Sequence, residues 1–241
     1  MKTFHFLTAF LLSLVLLKSC VYNEGITPSK NYITRDYKVT EFSALDISTV
    51  GDVYYTQSTN GETSLEIYGP DNIIDLIQVS IKDNTLHLSM NKKGIKNIKK
   101  MKITISTPHL SDIQFNGVGD VHIKDGLQTN KLNLHHHGVG DMNIHSLSCE
   151  EVKATADGVG NTYLHGTAER ATLRVHGVGD IDAFELKTKS TDASSKGVGS
   201  ISCFASESIS AEVQGVGSIK YKGNPAEKRI NKNGIGSIKG V

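Results

Sequence analysis

Tryptophan is missing from this 241-residue chain, and aromatic residues as a class make up only 6% of it. Sites that stack sugar rings draw on large aromatic faces, so the scarcity argues against a dedicated lectin. An excess of either charge is also lacking, with 26 Lys and Arg against 25 Asp and Glu. No global field therefore draws the protein toward nucleic acid, and no nucleic-acid partner is expected. Only one long apolar run occurs, residues 4–17, interrupted by His5, Thr8 and Ser13. It is short for a hydrocarbon core of about 30 Å, and no second run follows. Motifs of catalysis are absent as well: there is no nucleophile elbow, zinc motif, phosphate-binding glycine loop or dinucleotide fingerprint. A non-enzymatic protein without a cofactor or a metal is the expectation.

The run that is present, with Lys2 before it and Lys18-Ser19-Cys20 after it, reads as an export signal over residues 1–19. The Leu17-Lys18-Ser19-Cys20 junction resembles a bacterial lipobox, which implies cleavage before Cys20, acylation of Cys20 and a membrane partner held through that lipid. Residues 20–36 are polar, carry Gly25 and Pro28, and read as a lipidated tether.

What dominates the rest is repetition. Gly117-Val118-Gly119-Asp120 returns as Gly138-Val139-Gly140-Asp141, Gly158-Val159-Gly160-Asn161, Gly177-Val178-Gly179-Asp180, Gly197-Val198-Gly199-Ser200, Gly215-Val216-Gly217-Ser218 and Gly234-Ile235-Gly236-Ser237, every 18 to 21 residues. A fixed period of that length, with β-branched residues around a glycine corner, marks one unit stacked on copies of itself. Four residues before each first glycine stand Ile113, Leu134, Ala154, Leu173, Ala193, Ala211 and Ile230; two before it stand Phe115, His136, Ala156, Val175, Ser195, Val213 and Lys232. Four after it come Val121, Met142, Thr162, Ile181, Ile201, Ile219 and Ile238. Polar residues fill the positions between, so the period is two and each corner joins two strands with one inward face. The fold class that follows is all-β: a right-handed parallel β-helix of about 19–20 residues per coil, right-handed because parallel crossovers take that hand. Within the corner, the glycines are expected to permit a positive φ or a close approach, and the valine to plug the core.

A single β-helix domain is expected over residues 37–241, with 111–241 as the regular repeats. Residues 37–110 read as irregular capping coils, with strands over 42–48, 53–57, 64–68, 79–81, 86–89 and 102–106 and turns at Asn60-Gly61 and Asp83-Asn84. Cys149 and Cys203 fall three coils apart, about 14 Å along the axis, too far for a disulfide. Cys203 reads as a core residue and Cys149 as a loop residue.

The lipobox-like start, the irregular β-rich first third and the Gly-Val-Gly-Asp series together resemble the GIN-domain family of bacterial autotransporter-adhesin heads. The resemblance implies a right-handed parallel β-helix at the envelope of Gram-negative bacteria, as an outer-membrane lipoprotein, with an adhesive role and no binding-site motif to carry over.

Three groups of residues stand out as candidate sites. Asp120, Asp141 and Asp180 stack in one column with Asn161 and later serines; such a column can bridge a cation with hard oxygen ligands or accept backbone hydrogen bonds in turns, and the drift to Ser favours the second. His137 and His176 flank Asp157 in another column and could share an ion, although Asn116, Lys196 and Gln214 in the same column suit a solvated ladder; His136, inward, reads as a neutral core residue. The run Lys92, Lys93, Lys96, Lys99, Lys100 and Lys102, interleaved with Ile95 and Ile98, suits anionic lipid head groups or acidic glycans, or a solvated loop before a strand. Asp120 and Asp141 with Arg174 are the nearest approach to a polysaccharide-cleaving constellation. Adhesion or structural interaction with a protein or glycan partner is thus the first reading, and a polysaccharide-binding or polysaccharide-cleaving β-helix the alternative.

Overall fold

The structure, a computed structural model, describes residues 25–90 and 94–241. The export signal, Cys20, Lys92 and Lys93 lie outside the described residues. The described residues are 61% strand and 2% helix and wind into a β-solenoid of about six turns.

One coil shows how the sequence makes the turn. Between the corners at Gly138 and Gly158, Met142–Ala156 pairs in parallel with Thr162–Val175 of the next coil, with a register shift between Ile144 and Leu147. Three paired stretches result, 142–144, 147–149 and 151–156, giving three sides. Along them Met142, Ile144, Leu147, Val152, Ala154 and Ala156 are buried while alternate residues face out. The inward columns read from the sequence hold from coil to coil, because a shift of one residue would turn each apolar set to solvent. Ser195, polar in one of those columns, finds a partner inside: its Oγ donates to the Gly199 carbonyl at 2.8 Å. Only the last coil departs, with Ile230 47% exposed and Lys232 in the open.

The six capping strands form at their expected places, as Ala44–Ser48, Asp52–Gln57, Ser64–Pro70, Ile77–Lys82, Thr85–Met90 and Lys102–Thr107. Their stacking is not a simple series of coils. Ala44–Ser48 pairs in parallel with both Thr85–Met90 and Asp112–Phe115, and Asp52–Gln57 with both Lys102–Thr107 and Val121–Ile123. The later stretch, 85–107, therefore forms the rung outside the earlier one. Antiparallel strands make this reversal possible. Ile77–Lys82 folds onto Thr85–Met90 through Asp83 and Asn84 at φ 50° and 60°, the left-handed pair that a two-residue hairpin demands. Ser64–Pro70 runs antiparallel to Lys102–Thr107.

Folding also starts earlier than the polar composition of residues 20–36 suggests. Tyr32–Tyr37 pairs antiparallel with Ser64–Pro70, Ile26 bridges Ile95 in parallel, and the Ser29 amide donates to Asn72 Oδ1 at 2.9 Å. An edge strand buries only part of one face, so ladder hydrogen bonds hold it without a strong apolar pattern.

Candidate interaction surface

At each corner both glycines are required, for related reasons. A Cβ built on Gly138 would overlap the carbonyl oxygen of Gly117, and one on Gly140 that of Gly119. Gly140 also sits at φ 132°, where side chains are rarely tolerated. Between them Val139 donates its amide to the Gly117 carbonyl at 2.9 Å, and Gly140 donates to Val159 at 3.0 Å.

That geometry turns the valines outward. Val118, Val139, Val159, Val178, Val198 and Val216 are 50–55% exposed, and Ile235 74%. The expectation that they plug the core is therefore wrong: the residues two before and four after the glycine fill the core, and the corner has no inward position left. Parallel bridges link Val50 to Val118 and onward through every coil to Ile235, so the methyl groups form one continuous ridge.

Beside the ridge, the Asp column bonds to backbone. Asp120 Oδ1 accepts from the Asp141 amide at 2.8 Å, Asp141 from Asn161 at 2.8 Å, Asn161 from Asp180 at 3.0 Å, and Asp180 from Ser200 at 2.7 Å. Ser200 and Ser218 continue the series through their hydroxyls. On the other flank Asp157 is bridged directly by two imidazoles, His137 Nδ1 at 3.2 Å and His176 Nδ1 at 2.8 Å. Among the described residues no three His, Cys, Asp or Glu side chains converge on a point suited to an ion.

The other candidates disperse. Arg174 is committed to Asp192, 2.6 Å away, while Asp120 and Asp141 serve the corner ladder. His136 is 1% exposed, with Nδ1 3.4 Å from Thr162 Oγ1; burial holds its pKa below the usual histidine range. Cys203 is buried and Cys149 half-buried, both as free thiols. Burial pushes the first up to about 12 and the second up to about 11, so neither is a ready thiolate. Cys149 lies within the strand Met142–Ala156 rather than a loop.

The described part of the lysine run, residues 94–101, leads into Lys102–Thr107 at the corner. Ile95 and Ile98 pack against the core, and Lys96, Lys99, Lys100 and Lys102 are exposed. Lys102 Nζ stands 4.9 Å above the Tyr54 ring. A cleft of about 430 Å³ opens there, lined by Tyr54, Tyr68, Ile98, Lys99, Lys100, Lys102 and Val118 among others. The sequence did not show that residues 95–98 are fastened at the head of the ridge; the interleaved isoleucines were the signal.

Comparison with known proteins agrees with this architecture. A putative adhesin of Bacteroides fragilis NCTC 9343 is 56% identical, with 90% of this chain and 100% of that chain covered and a TM-score of 0.88. Putative adhesins of Parabacteroides distasonis ATCC 8503 (20% identity, 90% and 100% covered, TM-score 0.71) and Parabacteroides merdae ATCC 43184 (18%, 89% and 99%, TM-score 0.66) share the fold. No curated protein matches the chain significantly. The family model "Putative auto-transporter adhesin, head GIN domain" matches residues 41–225, and the chain belongs to that family.

Proposed function

We propose that this protein is a non-enzymatic interaction module of the cell envelope, an adhesin held to the membrane by a lipid on Cys20. One observation carries the adhesive part, the valine ridge. The largest contiguous apolar patch on a monomer is often functional, and six half-exposed valines with Ile235 stand in one unbroken line. The ridge needs no groove or moving part; its rigidity comes from the ladder beneath it, which lowers the ordering cost of binding. The dispersal of the charged candidates and the raised thiol pKa values support a surface that binds rather than turns over.

The test replaces Val159 and Val178 by Thr, which keeps the β-branched shape and removes the apolar character. Bacteria bearing the variant should attach to host-cell monolayers less than bacteria bearing the original chain, with the stability of the protein changed by no more than about 0.5 kcal/mol per site. Equal attachment would sink the ridge as the adhesive element. Turnover of an acidic polysaccharide by the purified protein would sink the non-enzymatic reading.

A further inference from the structure

We propose that the segment 94–102 is a membrane-facing patch that seats the cap end of the solenoid on an anionic lipid surface. This rests on the reading that Cys20 is the anchor, but it is carried by two observations of its own. The first is charge. Lys96, Lys99, Lys100 and Lys102 are exposed within seven residues that contain no acid. None of the four forms an ion pair among the described residues; Asp52, the cross-strand neighbour of Lys102, is the acid that lines the same cleft. Four lysines against one aspartate leave a local positive excess on a chain of nearly balanced charge, and an anionic surface is its natural complement.

The second is reach. Ile26 pairs with Ile95, at the start of the patch, and lies six residues after Cys20. Six residues of chain span at most about 20 Å, so a lipid on Cys20 leaves Lys96, next to Ile95, free to come within one Debye length of the head groups, where the attraction acts. Each lysine near an anionic surface adds to the attraction. Acidic glycans share this charge chemistry, but nothing would hold them at the segment, whereas the chain itself delivers it to the membrane.

The experiment uses the full chain in vesicles of phosphatidylglycerol or of phosphatidylcholine, treated with an acetylating reagent, with each lysine followed by mass spectrometry. Lys96, Lys99 and Lys100 should react about threefold or more slowly in the anionic vesicles, while Lys228 and Lys239 in the last coils react alike in both. Equal rates at the patch in the two lipids would overturn the proposal. So would uniform slowing at every lysine, which would mean that the whole solenoid lies flat. Protection of the same lysines by soluble polygalacturonate, as strong as that by anionic vesicles, would also overturn it by making the partner a glycan. The double variant Lys99→Gln/Lys100→Gln should lose the lipid-dependent slowing at Lys96 while keeping its melting midpoint; retained slowing counts against the patch. Loss of the anchor is scored separately, from whether Cys20→Ser leaves the membrane fraction.

Discussion

At the scale of single residues, His136 shows what an inward column costs when it holds an ionisable group. The ring is buried beside Phe115, with ring centroids 6.0 Å apart. Desolvation lowers its pKa, outweighing the attraction of Asp141 and Asp120. The consequence for pH is one-directional. With the folded pKa below the unfolded one of about 6.5, the unfolded chain takes up a proton at acid pH that the folded chain refuses. The stability is complete above that value and falls as the pH drops through it. His136→Leu, with no proton to exclude, should show a shallower fall in melting midpoint between about pH 7.5 and 5.5 than the original chain. Identical slopes would mean that other groups set the acid sensitivity.

At the scale of the coil, Gly179 tests the corner. It lies at φ 146°, and a Cβ there would overlap the Gly160 carbonyl oxygen. Gly179→Val therefore meets a backbone that must move, at a cost on the order of 1–3 kcal/mol from conformation alone. In a stack where each coil is held by its neighbours the strain should spread to adjacent coils. Gln114→Ser, at an exposed outward position, should stay within about 0.5 kcal/mol. Equal thermal midpoints for the two variants would show that the glycines are not the corners. Arg174 is a poor control because it is tied to Asp192. The same element shows what was legible in the residues and what was not. The inward columns were legible because a strand against one core has a period of two, and Ile113, Leu134 and Leu173 recur in it. The Asp column was legible because Ser can do what Asp does only if the role is to accept a hydrogen bond. Val139 was misread because a corner has no period to say which way its side chain points. Tyr32–Tyr37 was missed because an edge strand can be held by backbone pairing with little apolar patterning, and the outward placement of 85–107 because strand order depends on chain reversals far apart in sequence.

At the scale of the whole molecule, the proposed anchor would give these details an orientation. The cap carries the first described residues and the lysine segment, and the ridge runs from Val50 beside that segment to Ile235. At about 4.8 Å per rung, the ridge is about 34 Å long. A lipid on Cys20 would thus hold one end of the solenoid near the membrane, and a ridge running away from that end would offer its later valines to partners. The arrangement depends on the anchor, so the anchor is the decisive test. If Cys20 is acylated, Cys20→Ser should shift the protein from the membrane fraction to the soluble one, because the lysine patch alone gives reversible binding. Metabolic labelling with a palmitate analogue should disappear in the same variant. Cys149→Ser should retain the label, since that thiol is half-buried in a strand and its pKa is raised. Labelling that survives Cys20→Ser would refute the anchor and the orientation with it, while leaving the ridge and its ladder as they stand.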